Sequence, residues 1–253
     1  MALLIDRPSP NYDFRPAGTI IDILLIHYTG METTSAALNR LCDPKSKVSA
    51  HYLIDEDGTA YQLVKDERRA WHAGVASWRD QSDINVRSIG IELVNPGHEF
   101  GYRRFPDTQM EQLVGLASEV VSRHHIPDEG VLGHSDVAPG RKQDPGELFD
   151  WAALAEAGVG LWPARGFRIR RIGPILQAGD RGAEVAALQG SLKTFGYGIA
   201  EDGDYGAQTQ AVIAEFQRHF RPLIVNGVAD SETCSLLDHL VTRVARSRAQ
   251  HGE

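Results

Sequence analysis

The sequence predicts an α/β fold, in which helices flank a mixed central sheet, followed by a small three-helix bundle. Residues 20–28 form a nearly continuous apolar run, which is typical of a strand buried on both faces of a sheet. Residues 107–124 carry apolar side chains at helical spacing and predict a long amphipathic helix. Beyond Trp162 the sequence changes to short helical patterns separated by glycine-containing turns, which is typical of a helical bundle.

The remaining elements of the first part alternate between strands and helices, as expected for helices packed on a sheet. Residues 51–64 are typical of a β-hairpin, because Asp57-Gly58 is a turn signal between two apolar runs. The other expected elements are an extended segment over 1–18, a helix with a threonine or serine cap over 33–41, strands over 88–94 and 131–134, and a helix over 149–157.

The chain is predicted to have two folded parts. The segments are a first domain over 1–162, a linker over 163–171, a helical module over 172–245 and a polar tail over 246–253. A module of roughly 70 residues is near the lower limit for independent folding. The basic run Arg165–Arg171 is interpreted as linker or as a solvated strand edge.

Composition and charge exclude several classes of protein. The net charge of −8 argues against nucleic acid or an anionic membrane as a partner. No apolar run approaches the length of a transmembrane segment. The N-terminus is too short and too soon charged for a signal peptide, so we expect a cytoplasmic protein, or a periplasmic or cell-envelope protein if a leader has been removed. Cys42 and Cys234 are not expected to form a disulfide, and the oligomeric state is left open.

Two distant segments together predict a zinc site. His27 ends the first apolar strand, and the segment Gly133–Gly146 contains His134 and, ten residues later, Asp144. Two neutral imidazoles and one carboxylate are a common catalytic zinc set, because they leave a fourth position for water. Zinc-bound water ionises near neutral pH and becomes a nucleophile. A single histidine after a strand is more often structural, so the prediction depends on the two segments meeting.

Several motifs in this chain resemble those of a known family. Residues 1–160 resemble the zinc-dependent N-acetylmuramoyl-L-alanine amidases of the second amidase family, which are related to phage T7 lysozyme and to peptidoglycan recognition proteins. The matching segments, in family order, are Pro8–Tyr12, Ile26-His27, Val48–Ile54, Arg69–Gly74, Ser88–Leu93 and His134–Gly146. Residues 172–245 resemble a three-helix peptidoglycan-binding module, with matches at Gly179–Gly182, Leu188-Gln189, Asp202–Gly206 and Phe216-Gln217. The phage branch has a cysteine where this chain has Asp144, so the carboxylate indicates the bacterial muropeptide-amidase branch.

The resemblance implies a role for each site residue. It implies Zn²⁺ bound by His27, His134 and Asp144, with Glu92 as general base and Lys142 steadying the oxyanion. Read without the resemblance, Glu92 would be a charge at a strand end and Lys142 an ordinary loop lysine. Residues expected to bind the substrate are Tyr28, Trp71, His72 and Arg141. His51 is expected to be structural, whereas His98, His219, His239 and His251 are expected to be solvated.

The activity that the resemblance implies is hydrolysis of the amide between the lactyl group of N-acetylmuramic acid and L-alanine, in peptidoglycan or muropeptides. Two alternatives are a non-catalytic recognition protein that has lost a metal ligand and a zinc peptidase on the same scaffold. The preference for 1,6-anhydro sugars or for intact sacculi stays open. The module is expected to anchor the enzyme and to be dispensable for chemistry, provided that Trp162 and its neighbours are not buried against it.

Overall fold

The computed structural model of this chain describes residues 4–170 and 173–251. The strands among these residues, β1 to β8 in chain order, are Leu4–Asp6, Tyr12–Phe14, Ile23–Tyr28, Tyr52–Ile54, Ala60–Gln62, Arg68–Ala70, Ser88–Leu93 and Val131–Gly133. The helices, α1 to α8, are Thr34–Cys42, Gly97–Phe100, Asp107–His124, His134–Val137, Trp151–Glu156, Ala183–Phe195, Ala207–Phe220 and Ser231–His251. Residues 171 and 172, where the predicted linker meets the predicted module, lie outside the described residues, as do 1–3 and 252–253.

The described residues build a mixed sheet with the strand order β1-β5-β4-β7-β3-β8. Its neighbouring strands run parallel except β4 and β5, which form the predicted antiparallel hairpin. Gly58 in the hairpin turn has φ +86°, a conformation that glycine adopts without strain. Strands β2 and β6 pair separately as a two-stranded antiparallel ribbon. The predicted fold class, a mixed sheet flanked by helices and followed by a helical bundle, is confirmed.

Strand β3 is buried on both faces, as its apolar run predicts. Because side chains alternate across a strand, Leu24 and Ile26 join a core with helix α3, whereas Ile23 and Leu25 face the opposite side. The strand begins at Ile23 rather than at Ile20. Asp22 lies just before the strand, where its backbone N–H donates to the Arg87 carbonyl and its carboxylate pairs with the Arg87 guanidinium.

The helices begin and end close to their predicted positions. Helix α3 spans Asp107–His124, the predicted range, and buries Leu113, Leu116 and Val120 against the sheet. Helix α1 is capped by Thr33, whose side chain accepts a hydrogen bond from the Ala36 N–H. None of the described helices combines the length and the apolar content that a membrane crossing needs.

The C-terminal module, defined here as α6, α7 and α8, shares a core with the first domain. Trp78, which is 1% exposed, packs edge-on against the rings of Phe195 and Tyr197. The other first-domain residues in this shared core are Ile23, Leu25, Ala73, Ala76, Ile84, Leu132, Val137 and Leu161. Trp162 is partly buried and contacts both this core and the core beneath α3. The condition under which the module would be dispensable is therefore not met.

In the part of the chain that the structure describes, the predicted linker is irregular, as expected, whereas the predicted polar tail is mostly helical. The basic segment before residue 171 is irregular and mostly exposed, as expected for a linker. Helix α8 continues to His251, so most of the predicted polar tail is helical. Among the described residues, Cys42 is partly exposed and Cys234 is buried, and neither forms a disulfide.

Candidate active site

Three neighbouring strands of the sheet position the residues of the candidate site. His27 lies at the end of β3, Glu92 lies opposite it on β7, and His134 follows β8 directly. These strands are parallel, so their carboxyl ends meet at one edge of the sheet. Ile91 faces helix α3, so its neighbour Glu92 lies on the other face, which is also the face of His27. The period of two along each strand thus gathers the polar groups on one side.

The three predicted metal ligands meet at one point. His27 Nδ1, His134 Nδ1 and Asp144 Oδ2 are each 3.0 Å from the other two. All three side chains are buried. A tetrahedral zinc site with bonds of about 2.0–2.1 Å has ligand atoms roughly 3.3–3.4 Å apart, close to the observed triangle. We call His27, His134 and Asp144 the metal triad.

The hydrogen bonds behind the triad leave its inward-facing atoms without protons. His134 Nε2 lies 2.9 Å from the Ala73 carbonyl oxygen, which can only accept, so Nε2 carries the proton and Nδ1 presents a lone pair. Ser88 Oγ donates to the Ile84 carbonyl and therefore accepts from His72 Nε2. His72 Nδ1 is then an acceptor at 3.0 Å from His27 Nε2.

It follows that His27 Nε2 carries its proton and that His27 Nδ1 also presents a lone pair to the centre. Two lone pairs and a carboxylate oxygen at mutual distances of 3.0 Å repel one another unless a cation lies among them. The residues present therefore fit a divalent cation. The outer hydrogen bonds to Ala73 and His72 are of the kind that orient histidine ligands.

Burial and charge keep His27 and Asp144 in the protonation states that metal binding needs. Burial, assisted by the neighbouring His134, lowers the pKa of His27 to about 4, so this imidazole is neutral at pH 7. Burial alone would raise the pKa of Asp144, but the charges and hydrogen bonds of His134 and His27 outweigh it. The pKa of Asp144 lies well below its usual range, and the carboxylate is ionised.

Glu92 is a further carboxylate of the site, which lines the same cleft as the triad. Its Oε2 atom is buried and has no hydrogen-bond partner among the described residues. Burial, and after it the charge of Asp144, raises the pKa of Glu92 well above its ordinary value, while Lys142 opposes the shift. A cation held by the triad would also oppose it. The proton affinity of Glu92 is thus set by its burial and by the charged groups around the triad.

The triad lies at the base of a cleft of about 770 Å³. Lys142 lines this cleft, and its charge acts on both Glu92 and His27. Tyr28 also lines it, with its hydroxyl 2.9 Å from His98 Nδ1. Trp71 lines it on another side, where its indole N–H donates to Asp13 at 2.7 Å. The volume is in the range usual for ligand sites.

Two residues predicted to bind substrate have positions that indicate a further task. Arg141 lines the cleft, but its guanidinium donates to the carbonyls of Ala73, at 2.7 Å, and Val75, at 2.6 Å. It thereby holds the segment whose carbonyl orients His134. His72 lies behind His27 and packs against Gly90, where an added Cβ would be 2.7 Å from the His72 ring. Its position is that of a group that orients His27.

His51 is structural, as expected. Its side chain is fully buried, and its Nδ1 accepts a hydrogen bond of 2.9 Å from the Gly90 N–H. Its ring also lies 5.5 Å from that of His72. His51 therefore fixes the strand backbone against which His72 packs.

Comparison with known proteins decides the family. The profile of the N-acetylmuramoyl-L-alanine amidase family matches residues 17–147, and that of a peptidoglycan binding domain matches residues 181–237. The N-acetylmuramoyl-L-alanine amidase AmiD of Escherichia coli is 37% identical over 237 residues, which cover 88% of this chain and 83% of AmiD. The chain belongs to the N-acetylmuramoyl-L-alanine amidase family.

Solved structures agree with this membership of the amidase family. A complex of Escherichia coli AmiD with anhydro-N-acetylmuramic acid-L-Ala-D-gamma-Glu-L-Lys has a TM-score of 0.77 and 34% identity, over 90% of this amidase chain and 92% of the other. AmpDh3 of Pseudomonas aeruginosa has a TM-score of 0.78 and 31% identity, over 90% and 94%. The predicted family and enzyme class are confirmed, and the coverage extends through both parts of the chain.

The sequence prediction missed the residues by which the amidase's module reaches the site. His219 was expected to be solvated, which is wrong: it is 3% exposed, and its Nδ1 lies 2.8 Å from Asp136 Oδ2. Tyr197 donates to the other oxygen of Asp136 at 2.8 Å. These contacts join residues that are 83 and 61 positions apart. The only local signal was a second acid, Asp136, two residues after a predicted ligand.

Proposed function

We propose that this amidase binds one Zn²⁺ at the metal triad and hydrolyses the bond between the lactyl group of N-acetylmuramic acid and L-alanine. The observation that carries the proposal is the convergence of two imidazole lone pairs and one carboxylate at the base of the cleft. All three ligands are present, which argues against a recognition protein that has lost its metal.

The metal and the side chains divide the chemistry. When bound, zinc polarises the scissile carbonyl and lowers the pKa of water to near 7. Glu92 takes the proton from the attacking water and passes it to the leaving nitrogen of L-alanine. The unpartnered Oε2 atom of Glu92 and its raised pKa support this assignment.

Lys142 stabilises the charge that develops on the lactyl carbonyl oxygen. Its ammonium lines the same cleft as Glu92 and the triad. A fixed positive charge aimed at a developing oxyanion in a desolvated site contributes several kcal/mol to transition-state stabilisation. Tyr28, Trp71 and Arg141 line the cleft, and we infer that they contact the sugar or the stem peptide.

Soluble muropeptides with an anhydro sugar are the expected substrate class. The support comes from two related structures, a complex of AmiD with anhydro-N-acetylmuramic acid-L-Ala-D-gamma-Glu-L-Lys and a complex of AmpDh3 with an anhydromuramic pentapeptide. The C-terminal module adds retention on polymeric peptidoglycan, since a tethered binding domain raises the local concentration of substrate.

Product analysis tests this function directly. The zinc-loaded protein is incubated with a purified anhydro-muropeptide, and the products are separated and weighed by mass spectrometry. We expect free anhydro-N-acetylmuramic acid and the intact stem peptide, with no cleavage inside the peptide. Shortened peptides that remain attached to the sugar would identify a peptidase. Absence of cleavage in zinc-loaded protein would support a recognition protein instead.

A further inference from the structure

The segment that carries two of the three triad ligands is held from outside the first domain. This segment, residues 134–144, is called the metal loop. It begins with the short helix α4, and the Ser135 N–H donates to the Asp144 carbonyl at 3.0 Å, which ties the two ends of the loop together. The direction of the His134 and Asp144 side chains therefore depends on the position of α4.

Asp136 fixes α4 in place. Its Oδ2 accepts a hydrogen bond of 2.7 Å from the Gly133 N–H, immediately before His134. The same oxygen accepts from His219 Nδ1 at 2.8 Å, and Oδ1 accepts from the Tyr197 hydroxyl at 2.8 Å. Asp136 is 1% exposed, so its carboxylate relies on these donors in place of water. Two of the three donors come from the C-terminal module.

The donors of the module are themselves rigidly held. The His219 ring is stacked against Trp151 of the first domain, with ring centroids 3.8 Å apart, and against Phe220 at 4.0 Å. Tyr197 is 1% exposed and packs on Trp78. Both side chains have little freedom to rotate, so the positions of their donor atoms follow the position of the module.

Helix α7 also reaches the rim of the cleft. Arg218, next to His219, donates from Nε to Glu147 at 3.2 Å. Glu147 lies 3.3 Å from His98 Nε2, and His98 Nδ1 lies 2.9 Å from the Tyr28 hydroxyl. Of two adjacent residues of one module helix, His219 thus contacts the base of the metal loop, and Arg218 is linked through Glu147 to His98, which lines the cleft.

We propose that the C-terminal module is a structural part of the metal site, and that Tyr197 and His219 are positioning residues that act on the triad through Asp136. The proposal goes beyond anchoring on peptidoglycan and rests on the proposed zinc site. It assigns the module a second task, because the donor atoms of His134 and Asp144 keep their 3.0 Å spacing only while α4 is held.

Zinc affinity of the full-length protein tests this proposal. Tyr197→Phe removes one hydroxyl and keeps the ring, and Tyr205→Phe is its matched control. Tyr205 is also fully buried in the module, but its hydroxyl donates to Gly227 at 2.9 Å, away from Asp136. The dissociation constant for Zn²⁺ is measured by competition with a chromophoric chelator, alongside thermal unfolding of the zinc-free proteins.

We expect Tyr197→Phe to weaken zinc binding by a factor of up to about ten, the lower end of what the loss of a direct hydrogen bond to a metal ligand costs, because Tyr197 acts one residue further out, through Asp136. Tyr205→Phe should leave zinc binding unchanged. Excess Zn²⁺ should restore kcat of Tyr197→Phe, and unfolding of the zinc-free protein at the temperature of zinc-free Tyr205→Phe would show that a general loss of packing is not the cause. His219→Leu should behave like Tyr197→Phe, whereas His219→Asn, whose amide N–H takes the place of Nδ1–H, should retain wild-type affinity.

Equal zinc affinities of Tyr197→Phe, Tyr205→Phe and the wild type, in folded proteins, would overturn the proposal. His134→Ala separates this failure from that of the zinc site. If His134→Ala keeps its zinc, the triad itself is wrong. If His134→Ala loses zinc while Tyr197→Phe and His219→Leu bind it normally, the triad stands and the coupling to the module is wrong.

Discussion

At the scale of single residues, the site works through protonation states that its surroundings impose. A chain of hydrogen bonds from Ile84 through Ser88 and His72 fixes the proton of His27 on Nε2. The Ala73 carbonyl does the same for His134. Glu92 differs from these histidines, because its Oε2 has no hydrogen-bond partner among the described residues, which agrees with the proposed role in proton transfer.

Replacement of Glu92 tests its role as general base. Glu92→Gln has nearly the same shape but cannot accept a proton, so we expect kcat on a soluble muropeptide to fall by about 10²–10⁴. Zinc content should stay at the wild-type value, because Glu92 is not a ligand, and the protein should stay folded. Turnover near the wild-type rate would assign proton transfer to another group.

The buried His51 predicts a loss of stability in acid. Burial, followed by the charge of Arg15, lowers the pKa of His51 to about 3. In the unfolded chain the group titrates near its ordinary pKa of about 6.5. Between these values the unfolded state binds the extra proton, so the free energy of unfolding falls as pH falls, by about 1.4 kcal/mol per pH unit from this group.

Urea unfolding of chelator-treated protein at several pH values between about 3.5 and 7 measures this slope. His51→Gln should flatten it by about one proton, although its stability at pH 7 will be lower because the hydrogen bond with the Gly90 N–H is lost. Gly115→Ala on α3 is the control, since it removes no titratable group and its added Cβ meets nothing within 4 Å, and it should leave the slope unaltered. An unchanged slope in His51→Gln would show that His51 is protonated in the folded state.

At the scale of elements, the parallel pairing of strands brings the polar residues of three separate segments together in the candidate site. Strands β7, β3 and β8 run parallel in a fixed register, which aligns Glu92 with His27 and places His134 at the same edge. Gly90 on β7 leaves room for the ring of His72 behind His27. Strand β7 therefore contributes a carboxylate at Glu92 and, at Gly90, the space that a side chain would otherwise fill.

Gly90→Ala tests the fit between β7 and His72. The added Cβ would lie 2.7 Å from the ring, so His72 must move and its hydrogen bond with His27 must lengthen. We expect weaker zinc binding, by a factor of about ten, and a loss of roughly 1–3 kcal/mol in unfolding free energy.

Gly115→Ala on the exposed face of α3 is the control, since a Cβ there meets nothing within 4 Å. It should stabilise the protein by up to about 1 kcal/mol. Wild-type zinc affinity in Gly90→Ala would mean that His72 does not orient His27.

At the scale of the whole molecule, the two parts of the chain behave as one structure around the site. Ile23 and Leu25 of the central strand share a hydrophobic core with α6, α7 and α8. Trp78 of the first domain is buried against Phe195 and Tyr197 of the module. A module that served only as an anchor would not need to bury the polar groups Asp136 and His219 at this interface.

Removal of the module tests whether the first domain depends on it for stability and zinc binding. A chain that ends after Trp162 exposes Trp78 and its neighbours, and the burial of one such side chain is worth about 1.5–3 kcal/mol. We expect the truncated protein to unfold at a lower temperature and to bind zinc less tightly. A chain that ends at Ala249 is the control and should match the full chain. A truncated protein with wild-type stability, zinc affinity and kcat/KM on a soluble substrate would restore the view of the module as a separate anchor.

Most of the fold was predictable from the sequence, because the local sequence patterns agree with the tertiary structure. The bounds of α3, the cap at Thr33 and the Asp-Gly turn each follow from a few neighbouring residues. The meeting of His27, His134 and Asp144 was predictable because two motifs supplied it. The contacts of Asp136 with Tyr197 and His219 were not predictable, since they depend on how the module docks and no local pattern encodes that geometry.

Zinc content is the measurement that tests the central claim most directly. The wild type and the variants His27→Ala, His134→Ala and Asp144→Ala are purified, loaded with Zn²⁺, desalted and subjected to elemental analysis, with folding checked by circular dichroism. We predict one zinc per chain in the wild type and loss of zinc in each folded variant, because three ligands are needed to hold the ion. A full equivalent of zinc retained by folded His134→Ala, or by either of the other two variants, would contradict the account.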